Sequence, residues 1–384
     1  MAELGQTLAY TYSDDYLKYN LGKYHPMGPM RVEVADMLVR CSPLSEQMRM
    51  FKPRQATHDE LVTFHDPRYV KAVESVSATL EEAQVYGLGT MECPVFPELH
   101  TSASTIVGGI LDATKRVVAE ETALEFPILA GMHHAHAARA DGFCYYNDIV
   151  IALKYALDHG VKRILFLDTD VHHPNGVQEA FYANSSVLLV SLHLSSKFIE
   201  PATGEINEIG EEDGVGFNVN LPFYPSTRDS AYLEAFEKIV PPLWEAFDPE
   251  LVVWECGADT HFADPIGELL LTTTSFAGLG RRVRELSEEL PKGMILAAGG
   301  GYNPEATARC WTVLLAGLLG VTLPEVCPTE WNEFVKLRFN IRSSETYHDR
   351  LLKPADPDRA AIVKEKNDKY LATLLETISP YFPF

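Results

Sequence analysis

The sequence predicts an α/β fold with a mainly parallel sheet and helices on both of its faces. From about residue 126, short apolar runs that end in small or polar residues alternate with segments of helical periodicity. Neither a low-complexity linker nor an internal repeat divides the 384 residues. Because such alternation is typical of parallel sheets covered on both faces, we expect one domain over residues 1–384. Its core would span about residues 10–320 and its helical tail about residues 328–384.

The predicted elements follow this alternation in chain order. Five apolar runs predict the strands Phe126–Ala130, Arg163–Leu167, Val187–Ser191, Leu251–Cys256 and Gly293–Ala298. Apolar residues three and four apart predict the helices Asn147–Asp158, Gly176–Tyr182, Ser230–Phe247, Phe276–Leu290 and Glu305–Leu319. The first 125 residues are expected to be helical and irregular, with helices near Val32–Arg40 and Pro67–Leu80. In the tail, Asp356–Pro357 predicts the start of a last helix.

Composition and charge exclude several classes of function. With 32 basic and 54 acidic residues the net charge is −22, and Lys and Arg form no long cluster. Direct binding to nucleic acid is therefore not expected, whereas cationic substrates are favoured. The first five residues lack the pattern of a secretion signal, and the apolar segment Val313–Val321 is too short to span a membrane. Six scattered cysteines without a C-x-x-C pair predict reduced thiols. We expect a cytoplasmic protein.

The stretch Asp168–His173 directly follows a predicted buried strand. Asp168, Asp170 and His172 occupy alternate positions, so their side chains would project to one side if the strand continued. Carboxylate oxygens and imidazole nitrogens suit a divalent metal such as zinc. For this motif taken alone, a salt-bridged strand end is the alternative.

A second strand end lies after Leu251–Cys256 and contains Asp259. This carboxylate would be a third metal ligand from a neighbouring strand, which leaves a fourth position open for water and substrate. Taken alone, an Asp in this place is typical of a helix N-cap or an Asx turn.

Two more motifs follow predicted strands. Adjacent histidines such as His133 and His134 are suited to act as the base and the acid around a metal-bound water. The glycine-rich turn Gly299–Asn303 leads into a helix, but it lacks the Lys and the spacing of a phosphate-binding loop. We interpret it as a tight turn that aims Tyr302 into the site.

Together these motifs resemble the zinc-dependent histone deacetylase family, and within it the bacterial acetoin-utilisation-type members. The resemblance runs from Tyr10 to about Leu319. It implies an arginase/deacetylase-type α/β fold and zinc-dependent hydrolysis of acetyl-lysine, or another acyl-lysine, on proteins. Besides the motifs above, the shared residues are His25–Met27, Arg31, Glu92–Phe96 and Gly142–Asp148.

The resemblance also implies a metal and its ligands. Asp170, His172 and Asp259 would bind one catalytic Zn²⁺, with Fe²⁺ as the alternative metal in the cell. The metal would polarise the amide carbonyl and lower the pKa of its bound water.

The catalytic side chains are assigned by the same resemblance. His133 and His134 would be the acid–base pair, and Asp168 would orient His133. Tyr302 would donate a hydrogen bond to the oxyanion. His134 would face Asn175, where many family members carry Asp, and Pro174 replaces a usual glycine. Because an amide does not stabilise imidazolium as a carboxylate does, we expect lower basicity for His134.

Substrate-binding residues are expected around a narrow tunnel. Gly142 and Phe143 resemble one wall, and the opposite wall falls in Lys197–Gly204, where Phe198 or Glu200 stands in for the usual aromatic residue. Glu92 matches an acidic residue at the tunnel rim. The remaining expected residues are Ile266, at a position that is acidic in a polyamine-selective subfamily; Gly300 and Gly301, beside Tyr302; and Arg31, in a channel through which acetate leaves or in a buried ion pair.

Two K⁺ sites are also implied by the resemblance. The first would use Asp168, Asp170, His172, Ser191 and Leu192, several of them through backbone carbonyls. The second would use Phe181, Asn184, Val187 and Phe217.

Three alternatives to a protein deacetylase remain open from the sequence. An acetylpolyamine amidohydrolase would use the same metal and histidines but a different tunnel mouth. A two-manganese ureohydrolase is suggested by Asp259, His261 and Asp264, although it leaves the two adjacent histidines unexplained. A catalytically silent binder of acyl-lysine would be expected to lack at least one catalytic residue. The sequence makes no prediction of acyl-chain length or oligomeric state.

Overall fold

Eight strands form one sheet in the computed structural model, which describes residues 7–75 and 80–382. Their order across the sheet is β2-β1-β3-β8-β7-β4-β5-β6, and every neighbouring pair is parallel. The predicted fold class, a mainly parallel sheet flanked by helices, is confirmed. The strands are β1 Leu8–Thr11, β2 Met48–Phe51, β3 Leu124–Pro127, β4 Ile164–Asp168, β5 Val187–Leu194, β6 Asn218–Phe223, β7 Leu251–Glu255 and β8 Gly293–Ala297.

Three strands were not predicted from the sequence. The first 125 residues are mainly helical and irregular, as expected, but they also contain β1 and β2, which form one end of the sheet. Both have four residues, too few for a period to be recognised, and the edge strand β2 is half-exposed. Strand β6 contains Pro222. A proline argues against a strand in the sequence, but it is tolerated in an edge strand such as β6.

The helices agree closely with the predicted ones after residue 140. The expected helix Pro67–Leu80 is found as two segments, α3 and α4, and residues 76–79 between them lie outside the described part of the chain. The helices are α1 Met30–Cys41, α2 His58–Leu61, α3 Pro67–Glu74, α4 Leu80–Val85, α5 Leu99–Val118, α6 Asp148–Asp158, α7 Asn175–Phe181, α8 Asp229–Phe247, α9 Thr273–Leu286, α10 Pro304–Leu319, α11 Thr329–Phe339 and α12 Pro357–Ile378.

The central strands are apolar on both faces, because helices cover both. In β7, Val253 packs with residues of α5 and α6 on one face, whereas Val252 and Trp254 pack on the opposite face with α8, α9 and α10. All five residues of β4, β7 and β8 are buried. Parallel strands end at the same edge of a sheet, and here the registers set Asp168 opposite Glu255 on one side and Ser191 on the other. The site is built at this edge.

The tail after residue 328 is helical, as expected. Asp356 caps α12 by accepting a hydrogen bond from the amide of Arg359, and Pro357 is its first residue. Helix α12 lies along β6, where the Asn367 side chain accepts a hydrogen bond from the amide of Tyr224 at 2.9 Å. No helix among the described residues is both long and apolar enough to cross a membrane. The first five residues, on which part of the expected location rests, lie outside the described residues.

Candidate active site

Two carboxylates and an imidazole meet at the carboxyl ends of β4 and β7. Ligand atoms of Asp170, His172 and Asp259 lie within 4.8 Å of one another, and all three residues are buried. His172 Nδ1 is 3.0 Å from Asp170 Oδ1 and 3.1 Å from Asp259 Oδ2. We call this group the Asp–His–Asp trio.

The side chains of the trio are brought together by a curled loop after β4 and not by the alternation of an extended strand. The strand ends at Asp168, so the alternation of a continuing strand does not apply to Asp170 and His172. Instead, the amide of Asp170 donates to Asp168 Oδ1 and the amide of His172 donates to Asp170 Oδ1, each at 2.9 Å. Such Asx-type bonds curl the chain locally. The amide of Val171 then donates to Asp259 Oδ1 at 2.9 Å, which ties the loop to the end of β7.

Two glycines leave room for the trio. A Cβ atom at Gly257 would lie 2.0 Å from Asp170 Oδ2, and one at Gly300 would lie 2.0 Å from Asp259 Oδ2. The amide of Gly300 also donates to Asp170 Oδ2 at 2.7 Å. Backbone therefore packs directly against the carboxylates, a close approach that only glycine permits.

The electrostatics of the trio favour a bound cation. Burial alone would lower the pKa of His172, but its hydrogen bonds to Asp170 and Asp259 outweigh burial and raise this pKa to about 10. Burial raises the pKa of Asp259 well above its usual range. Buried carboxylates are paired with a positive charge or bind a metal, and a bound cation would supply that charge here. Carboxylate and imidazole donors in this number fit a zinc site with an open position.

A pair of adjacent histidines lies beside the trio. His133 Nδ1 is 2.9 Å from Asp168 Oδ2, and the Nε2 atoms of His133 and His134 are 3.0 Å apart, close enough for one proton to bridge them. Burial lowers the pKa of His133 to about 4 and that of His134 well below its usual value. The turn before them is fixed by Asp148, which accepts from the amides of Gly131 and Met132.

Asn175 is the partner of the second histidine, as the sequence predicts. Its Oδ1 lies 2.8 Å from His134 Nδ1, and it begins helix α7 directly after Pro174. The amide therefore occupies the place beside His134 that Asp168 occupies beside His133.

Tyr302 faces the trio from the glycine-rich turn after β8. Its ring is 6.3 Å from that of His172 and 5.7 Å from that of Phe143, in edge-to-face arrangements. Its amide donates to Asp264 Oδ2 at 2.7 Å, which holds the turn. Burial raises the pKa of the Tyr302 phenol well above its usual value, so the hydroxyl keeps its proton and remains a donor.

A cavity of about 1050 Å³ opens over these groups, and we call it the site cavity. The imidazoles of His134 and His172 line it, together with Tyr302. Phe143 stands on one side, and its ring packs edge-on at 4.6 Å from that of His25. The other expected substrate-binding residues on the wall are Glu92, Gly142, Phe198, Glu200 and Ile266.

The mouth of the site cavity is acidic. Only one arginine, Arg139, is among the lining residues of the described chain. Of its six lining carboxylates, Asp141 is hydrogen-bonded to Asn175, and we call the other five the acidic rim: Glu92, Glu179, Glu200, Glu208 and Glu211.

Arg31 is buried behind the glycine-rich turn. Its Nε donates to the carbonyl of Gly301 at 2.8 Å, its Nη2 donates to the carbonyl of Gly299, and its guanidinium stacks 5.1 Å from the Trp311 ring. Among the described residues no carboxylate lies within ion-pair distance of it, so the expected alternative of a buried ion pair is wrong. These contacts fix the turn that carries Tyr302.

The residues assigned to K⁺ form one set at the carboxyl ends of β4 and β5 and a second set around the start of β5. Ser191 pairs in register with Asp168, and the Leu192 carbonyl accepts a hydrogen bond from Tyr232 at 3.2 Å. For the second set, the Asn184 amide donates to the Phe181 carbonyl, and the Phe217 carbonyl accepts from the Leu189 amide. Val187 begins β5 between these two turns. Both K⁺ sites stay predictions.

The residues that suggested a second metal are directed elsewhere. His261 Nε2 lies 2.8 Å from Asp349 in the tail, and Asp264 accepts the Tyr302 amide. A second group of possible ligands in the described chain joins His133 and Glu255 to Asp170, but His133 Nδ1 is already bonded to Asp168. This arrangement disfavours the two-manganese alternative.

Two acidic residues near the histidines were not singled out from the sequence. Glu255 ends β7, is buried 3.8 Å from His133 Nδ1, and has no hydrogen-bond partner for either carboxylate oxygen among the described residues. Asp141 precedes the wall residues Gly142 and Phe143 and contacts Asn175. A polar residue directly before the wall motif is a sequence signal for Asp141, whereas Glu255 reads as part of an apolar strand.

Comparison with solved structures places the fold. A crystal structure of a histone deacetylase homologue from Aquifex aeolicus superposes with a TM-score of 0.82 at 30% identity, and the match covers 95% of this chain and 100% of that one. A histone deacetylase homologue complexed with SAHA superposes with a TM-score of 0.81, also at 30% identity, over the same shares of the two chains. The sheet and the position of the site define an α/β protein of the arginase/deacetylase type.

Sequence comparison identifies the family. A model of the histone deacetylase domain matches residues 25–318. The acetoin utilization protein AcuC of Staphylococcus aureus strain MSSA476 is 33% identical over 375 residues, which are 96% of each chain. AcuC of Bacillus subtilis strain 168 is 33% identical over 331 residues, or 84% of each chain. The chain belongs to the histone deacetylase family and, within it, to the bacterial acetoin-utilisation type. Membership supports an enzyme with deacetylase activity.

Proposed function

We propose that this protein is a zinc-dependent amidohydrolase that removes acetyl or other acyl groups from lysine side chains of proteins. The observation that carries the proposal is the meeting of the Asp–His–Asp trio, the histidine pair and the Tyr302 hydroxyl at one end of the site cavity. Each of the three has a separate task in amide hydrolysis.

The trio would hold the metal through Asp170, His172 and Asp259. When bound there, zinc supplies Lewis acidity toward the amide carbonyl and lowers the pKa of a coordinated water. The burial of the donors and their need for a positive charge support this assignment. Fe²⁺ accepts the same donors and is the alternative metal.

The histidine pair would move protons. Because burial lowers the pKa of both imidazoles, they are neutral at pH 7 and each has a nitrogen able to accept a proton. One accepts a proton from the attacking water, and the pair returns a proton to the leaving lysine nitrogen, so that a neutral amine departs. Asp168 holds His133 in orientation at 2.9 Å.

Tyr302 would stabilise the oxygen of the amide as negative charge develops on it. Its raised pKa keeps the phenol protonated, and the packing of its ring against Phe143 restricts where the hydroxyl points. A single donor of this kind contributes roughly 3–4 kcal/mol to the stability of the transition state.

The site cavity favours a substrate with a long side chain and with positive charge close to that side chain. Phe143 offers an apolar face to the methylene stem of an acyl-lysine, and the acidic rim attracts neighbouring lysines of a protein segment. The related structure that holds SAHA supports a cavity that admits a ligand. An acetylated polyamine is the second candidate substrate, because the acidic rim would also bind its free ammonium.

A side-by-side assay tests the proposal. We would measure hydrolysis of an acetyl-lysine peptide and an acetylated polyamine after chelation and after addition of zinc, ferrous iron or manganese. Metal-dependent turnover of the peptide supports the proposal, and a preference for the polyamine moves the function to the second candidate. Binding of one metal ion per chain is expected by elemental analysis. Two manganese ions per chain, or metal binding without turnover of either substrate, would contradict it.

Two further expectations accompany the proposal. If K⁺ binds beside β4 and β5, replacement of K⁺ by a bulky organic cation should lower activity or thermal stability. The described cysteines are all unpaired, which suits the reducing cytoplasm that we propose as its location.

A further inference from the structure

A group of polar side chains surrounds Asn175 on the side away from His134. Asn175 Nδ2 lies 3.3 Å from Asp141 Oδ2 and 3.4 Å from His136 Nε2, while its Oδ1 lies 2.8 Å from His134 Nδ1. The resemblance to histone deacetylases predicts a carboxylate at position 175 in many members. In this chain the nearest carboxylate to His134 on that side is one hydrogen bond further away.

We propose that Asp141 is a positioning residue that acts through the Asn175 amide to fix which nitrogen of His134 carries the proton. The inference rests on the proposed function, since it assigns a role within the same histidine pair. Beyond the proposed function, it assigns a role to Asp141 and specifies the tautomer of His134.

The two ends of the Asn175 side-chain amide form different kinds of hydrogen bond. The oxygen of an Asn side chain only accepts hydrogen bonds and its nitrogen only donates them, whereas a carboxylate only accepts. Asp141 can therefore pair only with the Nδ2 end of Asn175. This leaves Oδ1 toward His134, so that His134 Nδ1 must be the donor and carry hydrogen.

The consequence lies at the opposite nitrogen of the same ring. With hydrogen on Nδ1, the neutral His134 has its lone pair on Nε2, and because this atom lies 3.0 Å from His133 Nε2, a proton that the pair accepts is shared between the two rings. If the amide turned over, its NH₂ group would face His134 Nδ1 and would favour hydrogen on Nε2 instead. His134 would then be unable to accept a proton on the side of the reaction.

Asp141 is itself held in place. His136 Nε2 lies 3.3 Å and Arg139 Nη2 lies 3.2 Å from its Oδ2. The backbone of Asp141 forms two hydrogen bonds with Cys144, at 3.1 and 2.8 Å, across the turn that carries Phe143. Burial acts to raise the pKa of this carboxyl, but the bond to His136 and the charge of Arg139 outweigh it and hold the pKa below its usual value.

A double-mutant cycle tests the coupling. Asp141→Ala should lower kcat for the acetyl-lysine peptide roughly tenfold and change KM by less than about twofold. The substrate still binds, but a fraction of His134 carries its hydrogen on Nε2 and does not accept a proton there. In an Asn175→Asp background, the carboxylate contacts His134 directly, so Asp141→Ala should change kcat by less than about twofold. Equal losses in the two backgrounds, or a change in KM alone, would overturn the proposal.

A matched control separates this effect from the general loss of a carboxylate. Asp112 has the same side-chain exposure as Asp141, 27%, and also pairs with an arginine, Arg54, but it lies on α5 away from the site. Asp112→Ala should leave kcat and KM unchanged. Thermal melting of all variants identifies any that lose activity through unfolding.

A spectroscopic measurement tests the tautomer without activity. In protein labelled with ¹⁵N-histidine, the long-range ¹H–¹⁵N pattern of His134, assigned by its loss in His134→Gln, should be that of hydrogen on Nδ1. In Asp141→Ala the pattern should shift toward a mixture of tautomers. An unchanged pattern in an active enzyme would refute the inference. A shift caused by Asp141→Ala, together with a wild-type protein that hydrolyses neither substrate, would refute the proposed function and keep the role of Asp141.

Discussion

The Asp–His–Asp trio and the histidine pair lie side by side and both are buried, yet the pKa values of their imidazoles shift in opposite directions. His172 is buried in the trio and its pKa is raised to about 10, whereas the pKa of His133, equally enclosed, is lowered to about 4. Burial also lowers the pKa of His134. All three imidazoles are within one layer of side chains above the carboxyl ends of the strands.

The difference follows the number of carboxylates that each ring contacts. His172 Nδ1 is close to two carboxylates, His133 Nδ1 to Asp168, and His134 Nδ1 to an amide. Burial removes water equally from all of them, so the remaining partners decide which form is stable. The trio is suited to hold positive charge, and the pair is suited to accept a proton.

The largest effect is expected when the trio is broken. Asp170→Ala removes a metal ligand and leaves Asp259 and His172 to coordinate alone, so metal content and turnover should both fall to background. Elemental analysis and the peptide assay check this. Asp36→Ala is the control, because Asp36 is similarly buried, with 3% of its side chain exposed against 1% for Asp170, and its pair with Arg40 is on α1. Full metal content in Asp170→Ala would contradict the assignment.

A smaller effect is expected when the Asp–His–Asp trio and the histidine pair are left intact but the hydroxyl that donates to the substrate oxygen is removed. Tyr302→Phe should reduce kcat by about 10²–10³-fold and retain the metal, since the ring still packs against Phe143. The control is Tyr347→Phe, because the buried Tyr347 hydroxyl has no hydrogen-bond partner in the described structure. Activity within twofold of wild type would remove Tyr302 from the mechanism.

The smallest effect, a shift in pH dependence, tests the comparison most directly. With the His133 pKa near 4, the pair should stay neutral from about pH 7 down to about pH 5.5, and kcat/KM should be flat over that range. Asn175→Asp gives His134 a carboxylate, which favours its charged form and raises its pKa. The acid limb should therefore move up by about one pH unit. An unchanged profile would show that the partner at position 175 does not control the pair.

Much of the fold could be predicted because the central strands are continuous runs of apolar residues. Strands such as β4 and β7 are apolar throughout and are followed by long helices with clear periodicity. The edges could not be predicted in the same way. Strand β1 pairs with β2 over four residue pairs and with β3 over three, a stabilisation that local sequence does not reveal.

The candidate site shows the same division. Residues that carry chemistry at strand ends, such as Asp170, Asp259 and His133, were recognisable because each follows a buried strand. The curl after Asp168 was not, because it depends on side-chain acceptors rather than on strand geometry. Nor was the contact of Asp141 with Asn175, since 34 positions separate the two residues and only the fold brings them together.

The packing of α12 on β6 has a consequence for how copies of the chain behave together. An edge strand presents unpaired backbone groups on which another strand can be added, and proteins that leave such an edge open tend to associate. All six residues of β6 are buried, and Asn367 of α12 reaches the amide that follows the strand. The last helix therefore protects this edge against pairing with a strand of another copy, a role that is separate from catalysis.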